Sequence, residues 1–187
     1  QPLAVIGQHH LEIAQRAVTL VKNEGSLLPV NAAGTAFLVL PESARSEQGR
    51  LFAAEVRKRA PDAPLVVLEP GASGAEFDSA IEAVKGAKAV VVAAFASVAT
   101  YRGGAVLAGG YPKLLEALIA GGPPVALIAL GNPYLARSFP DVSAYVAVYS
   151  PAPPCEQAAV KALFGEVPFR GKLPVTVPGV AKYGDGL

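Results

Sequence analysis

Ala89–Phe95 reads AVVVAAF, an unbroken apolar run with Lys88 before it and Ser97 shortly after. The run is rich in valine, too short for a buried helix, and shows no polar alternation. It therefore reads as a strand covered on both faces. Such strands belong to parallel sheets, whose crossover helices lie on either side. Even widened to Ala87–Val98, the run falls short of the roughly 20 residues that cross a bilayer.

Working outward, four comparable runs flank it. Thr35–Leu40 (TAFLVL) is closed by Pro41; Leu65–Leu68, Pro124–Leu130 and Ala144–Tyr149 complete the set. Between them lie stretches of helical periodicity. Ser43–Ala60 gathers Leu51, Phe52, Ala54 and Val56 on one side, and Ala75–Gly86 turns Phe77, Ile81 and Val84 inward. Pro112–Ala120 carries Leu114, Leu115, Leu118 and Ile119, Pro133–Phe139 is a short helical turn, and Glu156–Phe164 is the last helix. Strands separated by helices imply right-handed βαβ crossovers. The expected fold is α/β: a flavodoxin-like three-layer sandwich whose sheet of five to six strands is mostly parallel, with helices on both faces.

The ends are read in the same way. His9–Lys22 carries an apolar stripe at helical spacing (Leu11, Ile13, Ala14, Ala17, Val18, Val21), stopped by Asn23-Glu24-Gly25. Gln1–His10 reads as a connector, which places the domain at 11–187. Leu173–Val177, with Pro174 inside it and Pro178 after it, is expected as a final antiparallel strand at a sheet edge, where proline is tolerated. The chain has no methionine, so Gln1 is not an encoded start and a longer parent is expected.

Composition narrows the function. Of 187 residues 52% are apolar and 17% charged, which argues against disorder. The net charge of +1 forms no basic stripe, so no nucleic-acid partner is expected. Mean hydropathy is +0.39 without a spanning segment, so no membrane partner is expected either. No signal peptide is visible at the N-terminus. The single Cys155 forms no internal disulfide, and the compartment, periplasmic and secreted included, stays open.

No cofactor is expected. The first parallel strand exits into Pro41-Glu42-Ser43-Ala44-Arg45, without the glycines a phosphate loop needs and with an acid that repels phosphate. Gly171-Lys172 lacks the rest of a P-loop. His9 and His10 are adjacent and have no Asp or Cys at ligand spacing, so no metal is expected. Cys155 falls at a helix N-terminus, which favours a lowered thiol pKa, yet no histidine stands near it in sequence. Glycoside hydrolysis needs paired carboxylates. Glu42, Glu69 and Asp141 lie near strand ends, each more simply a solvated or capping acid. The long loop Ala96–Gly110 contains no carboxylate, but offers Ser97, Thr100, Tyr101 and Arg102 between flexible glycines. Two readings stay open for it: a wall of a binding site, or a surface packed on a neighbouring domain.

Three stretches carry a resemblance. Ala14–Pro29 is AQRAVTLVKNEGSLLP, Pro124–Pro140 is PVALIALGNPYLARSFP, and Ala158–Pro178 is AAVKALFGEVPFRGKLPVTVP, followed by Tyr183-Gly184-Asp185-Gly186-Leu187. Together they resemble the C-terminal domain of family 3 glycoside hydrolases, from its "TLVKN…LLP" opening to its "ALFGE…GKLPVT" and "YG.GL" close. Gly131-Asn132-Pro133-Tyr134 is more similar to the β-N-acetylglucosaminidase (β-hexosaminidase) branch than to the β-glucosidases.

The resemblance implies a retaining, exo-acting glycosidase with two domains. Its partner would be an N-terminal (β/α)8 barrel that carries the aspartate nucleophile and meets the glycan substrate. In the β-glucosidase branch a glutamate from the loop after this domain's third strand is the acid/base. In the N-acetylglucosaminidase branch a histidine–aspartate pair on a barrel loop does that work. With no glutamate in Ala96–Gly110, no catalytic residue is carried over, and Tyr101 and Arg102 are the candidates for the substrate mouth. The fragment is expected to be inactive alone and to expose an apolar patch along Leu11–Val21. A β-glucosidase or β-xylosidase, and a non-catalytic binding module, are the alternative readings.

Overall fold

The computed structural model describes residues 2–96 and 107–187. Its helices are α1 (Pro2–Ala17), α2 (Arg50–Arg59), α3 (Gly74–Val84), α4 (Tyr111–Gly121) and α5 (Pro153–Leu163). Its strands are β1 (Thr19–Asn23), β2 (Thr35–Leu40), β3 (Leu65–Val67), β4 (Ala89–Ala96), β5 (Val125–Gly131) and β6 (Ala144–Val148), in the sheet order β1-β6-β5-β4-β2-β3. All pairings are parallel except β1 with β6. Counted from β2, the parallel strands follow the flavodoxin-like order 2-1-3-4-5.

The all-apolar runs are explained by burial on both faces. Leu38, Leu40, Val90, Val92, Leu127 and Tyr145 point into a core shared with α3 and α4. Their alternate neighbours Phe37, Val39, Val91, Phe95, Ile128 and Val146 point into a second core with α1, α2 and α5. Each strand thus serves two helix layers, which removes the polar half of the usual alternation.

The antiparallel strand lies at the opposite end of the chain from the expected one. Helical spacing suggested a helix through Lys22, but α1 stops at Ala17 and Thr19–Asn23 pairs along β6. Val18, Thr19 and Val21 are β-branched, and the free edge of β6 offers them a full ladder. Residues 173–177 form no strand; only an isolated bridge joins Val177 to Ala181. Leu173 and Val177 instead plug the core beside α3 and α4. The expected apolar patch on 11–21 is likewise corrected. Ala14, Val18 and Leu20 are buried against the α2/α5 layer, and Ile13 is the large apolar side chain of that stripe left exposed. Helix α2 begins at Arg50 rather than Ser43. Gln48 draws residues 42–48 into turns by accepting from Glu42 N and donating to the Glu42 carboxylate, and Gly49 caps the helix at φ 81°.

The motif residues meet around β1. Asn23 accepts from Leu28 N and donates to Leu28 O, both at 2.9 Å, closing the turn 23–28. Gly165, at φ 74°, ends α5 in a Schellman turn, with Glu166 N donating to Lys161 O and Gly165 N to Ala162 O. That turn lies against Pro29, 3.3 Å from where a Cβ on Gly165 would stand. Gly171 N donates to Val18 O and Leu187 N to Leu20 O, so the C-terminal segment covers the outer edge of β1. Covering an edge removes a template for unwanted pairing.

Candidate functional site at the carboxyl rim of the sheet

In open parallel sheets, ligands meet the carboxyl ends of the strands where the winding direction reverses. Here the reversal falls between β2 and β4, since the chain leaves β2 for β3 on one side and returns to β4 on the other. The rim consists of the turns after β2, β4, β5 and β6. Each is built differently.

After β2, Tyr111 of α4 lies beneath the chain. Its hydroxyl is 2.6 Å from Leu68 O and 3.0 Å from Pro41 O, tying this exit to the end of β3. Burial, with a smaller contribution from Glu69, raises its phenol well above the ordinary value, so it stays a neutral donor. The turn ends at the Glu156 carboxylate, which comes from α5 and is 2% exposed. It accepts from Gly49 N at 3.2 Å and Phe52 N at 2.8 Å, at the amide end of α2. Burial raises the Glu156 carboxyl above the usual carboxylate range, and the Phe52, Gly49 and Leu51 amides oppose that rise.

After β4, the mouth candidates Tyr101 and Arg102, with Ser97 and Thr100, lie outside the described residues. What is described fixes the ends of that segment. It departs from Ala96, paired with Gly131 of β5. It returns at Leu107, which is buried, and Gly109, at φ 54°. A Cβ on Gly109 would stand 1.7 Å from Pro70 O, so the return is pressed onto the turn after β3.

After β5, Gly131 takes φ 123° and Asn132 is buried. The Asn132 Oδ1 accepts from Tyr134 N at 3.0 Å, while the Tyr145 hydroxyl donates to Pro133 O at 3.0 Å. Leu135 and Ala136 anchor the next turn in the core, and Tyr134 is left 37% exposed. After β6, the Tyr149 hydroxyl donates to Thr19 Oγ1 at 2.7 Å, and Thr19 Oγ1 to Ala17 O at 2.9 Å, linking this rim to the start of β1.

The remaining sequence candidates lie elsewhere or are occupied. His9 and His10 are exposed on α1. Glu42 accepts from Gln48 Nε2 at 3.2 Å, and Glu69 and Asp141 are exposed. Cys155 is half-buried beside the α1/α2/α5 core, and burial raises its thiol pKa, against the lowering its helix-start position suggested. Among the described residues, no group of three His, Cys, Asp or Glu side chains could hold a metal ion. Sequence reading passed over Glu156. Its one signal is an acid in the first turn of a helix that goes on to the apolar triplet Ala158, Ala159 and Val160.

A family model for the glycosyl hydrolase family 3 C-terminal domain matches residues 18–185. Among solved structures, a fungal multi-domain β-N-acetylglucosaminidase matches at 22% identity and TM-score 0.71, over 92% of this chain and 19% of that one. A family 3 β-N-acetylglucosaminidase from Paenibacillus sp. matches at 19% identity and TM-score 0.68, over 89% of this chain and 32% of that one. A β-glucosidase from Listeria innocua matches at 17% identity and TM-score 0.74, over 90% and 26%. No individually curated protein sequence matches significantly. These likenesses establish the fold, and the chain spans from about one fifth to one third of the structures it matches.

Proposed function

Because the chain belongs to the glycosyl hydrolase family 3 C-terminal domain family, we propose that it is the accessory domain of an exo-acting retaining β-N-acetylglucosaminidase. It braces a (β/α)8 barrel that holds the nucleophile, and the parent enzyme removes terminal N-acetylglucosamine from chitin- or peptidoglycan-derived glycans. One observation carries this reading. The segment 96–110, rooted at the rim between β4 and α4, contains no Asp or Glu. A carboxylate acid/base cannot come from it, so proton transfer falls to a histidine–aspartate pair on the barrel. Among the acids of the turn after β2, Glu47 pairs with Arg50. Glu156 is turned onto the α2 amides and Glu42 is bound to Gln48.

Tyr101 and Arg102 then wall the substrate mouth as hydrogen-bonding and stacking groups. The 187-residue chain alone is folded and inactive. The test compares kcat/KM of the complete enzyme on 4-nitrophenyl N-acetyl-β-glucosaminide and on the matching β-glucoside and β-xyloside. A preference for the N-acetyl sugar of a hundredfold or more, about 2.7 kcal/mol, is expected. Equal or better turnover of the 2-hydroxy sugars would transfer the parent to the β-glucosidase or β-xylosidase group.

A further inference from the structure

We infer that Tyr134 is a saccharide-stacking residue at the carboxyl rim of the sheet, an inference that rests on the function proposed above. Among the described residues, the large exposed apolar side chains include two aromatics, Tyr134 and Tyr183. Tyr183 belongs to the C-terminal segment that covers β1. Tyr134 stands on the carboxyl rim, three residues beyond Gly131, which pairs with the last residue of β4.

Its backbone is immobilised from several directions. Asn132 Oδ1 holds its amide, the Tyr145 hydroxyl holds the carbonyl of Pro133 before it, and buried Leu135 and Ala136 follow it. Asn132 and Tyr145 are themselves buried, 5% and 2% exposed. A rigid, buried support under a solvent-facing ring is costly to build for a solubility role. It suits a ligand platform, because a pre-positioned aromatic loses little entropy on binding. The apolar face of a pyranose, with its axial C–H groups, is the complement of such a ring. The phenol oxygen at the ring edge can also meet a sugar hydroxyl.

The experiment uses the complete enzyme with Tyr134→Ala and Tyr134→Phe, each measured for KM, kcat and thermal midpoint. For Tyr134→Ala, KM for the N-acetyl-β-glucosaminide is expected to rise roughly three- to tenfold, the range of an aromatic stacking contact. Thermal midpoint and kcat should stay close to wild type, and Tyr134→Phe should retain a near-native KM. An unchanged KM in Tyr134→Ala overturns the inference. So does a fall in thermal midpoint with unchanged KM, which would make the ring a domain contact. If the wild type prefers another glycoside, the same ratio is read on that sugar, so the inference can stand while the proposed specificity falls. If the wild type hydrolyses no glycoside, both fall.

Discussion

The carboxylate of Glu156, at the start of α5, accepts the backbone amide of Phe52, in the first turn of α2, at 2.8 Å. The same carboxylate takes the Gly49 amide, so one buried acid satisfies the open end of a helix it does not belong to. It also fixes where the turn after β2 ends, and hence one side of the rim.

Removing that acid should be severe. Glu156→Ala strands two amides in a buried site and is expected to cost about 3 kcal/mol, and Glu156→Gln about half as much. The pH dependence has a definite sign. The folded pKa lies above the ordinary 4.5, so the contribution of Glu156 is fully present below that value and declines as pH rises through the folded pKa. Urea unfolding of wild type and Glu156→Gln between about pH 4 and pH 8 should therefore show the variant's deficit largest at the acid end. A deficit independent of pH would mean that burial does not perturb this carboxyl.

Arg59 has the opposite signature. It donates to Glu55 Oε2 at 2.7 Å and grips Glu166 with two nitrogens, joining α2 to the end of α5. Glu55 is buried, and its hydrogen bonds to Lys58 and Arg59 hold its pKa below 4.5; Arg59 does the same for Glu166. Their contributions are present above 4.5 and are lost as pH falls through the lowered values. Arg59→Met should cost about 2 kcal/mol near neutrality, and that loss should shrink towards about pH 3. Chemical denaturation at both pH values checks it.

Gly171 is predicted to tolerate no side chain. A Cβ there would meet Ala17 O at 2.3 Å and Thr19 Oγ1 at 2.4 Å, at the end of α1 and the start of β1. Gly171→Ala should cost about 3 kcal/mol and, by freeing the edge of β1, promote self-association. Gly71→Ala is the control, since nothing lies within 4 Å of its added methyl, and it should shift stability by no more than about 0.5 kcal/mol. Calorimetry with light scattering distinguishes the two.

The sequence was most readable where period and burial agree. AVVVAAF, Thr35–Leu40, Pro124–Leu130 and Ala144–Tyr149 read as strands buried on both faces, Leu65–Leu68 reads as a strand but forms a part-exposed edge, and the helices between them imply the parallel crossovers. It misled where local period and tertiary pairing conflict. Val18–Val21 keeps helical spacing, yet the open edge of β6 draws those β-branched residues into a strand. Leu173–Val177 looks like a strand, but its apolar side chains act as plugs in the core, and its prolines suit that irregular path. At the rim, the glycine–asparagine–proline–tyrosine turn is visible in the sequence as a motif. The burial of Asn132 and the clamp from Tyr145 depend on contacts no local pattern encodes. Glu156 was missed for the same reason, because its partners lie 104 and 107 residues away.

The central claim is that this domain shapes the site without transferring a proton. It is tested most directly by the pH–rate profile of the complete enzyme carrying Tyr101→Ala together with Arg102→Ala. The account predicts a raised KM, a kcat within a few-fold of wild type, and both limbs of the kcat profile unmoved. A fall in kcat of a hundredfold or more with loss of one limb would contradict it, placing a proton-transfer group in this domain.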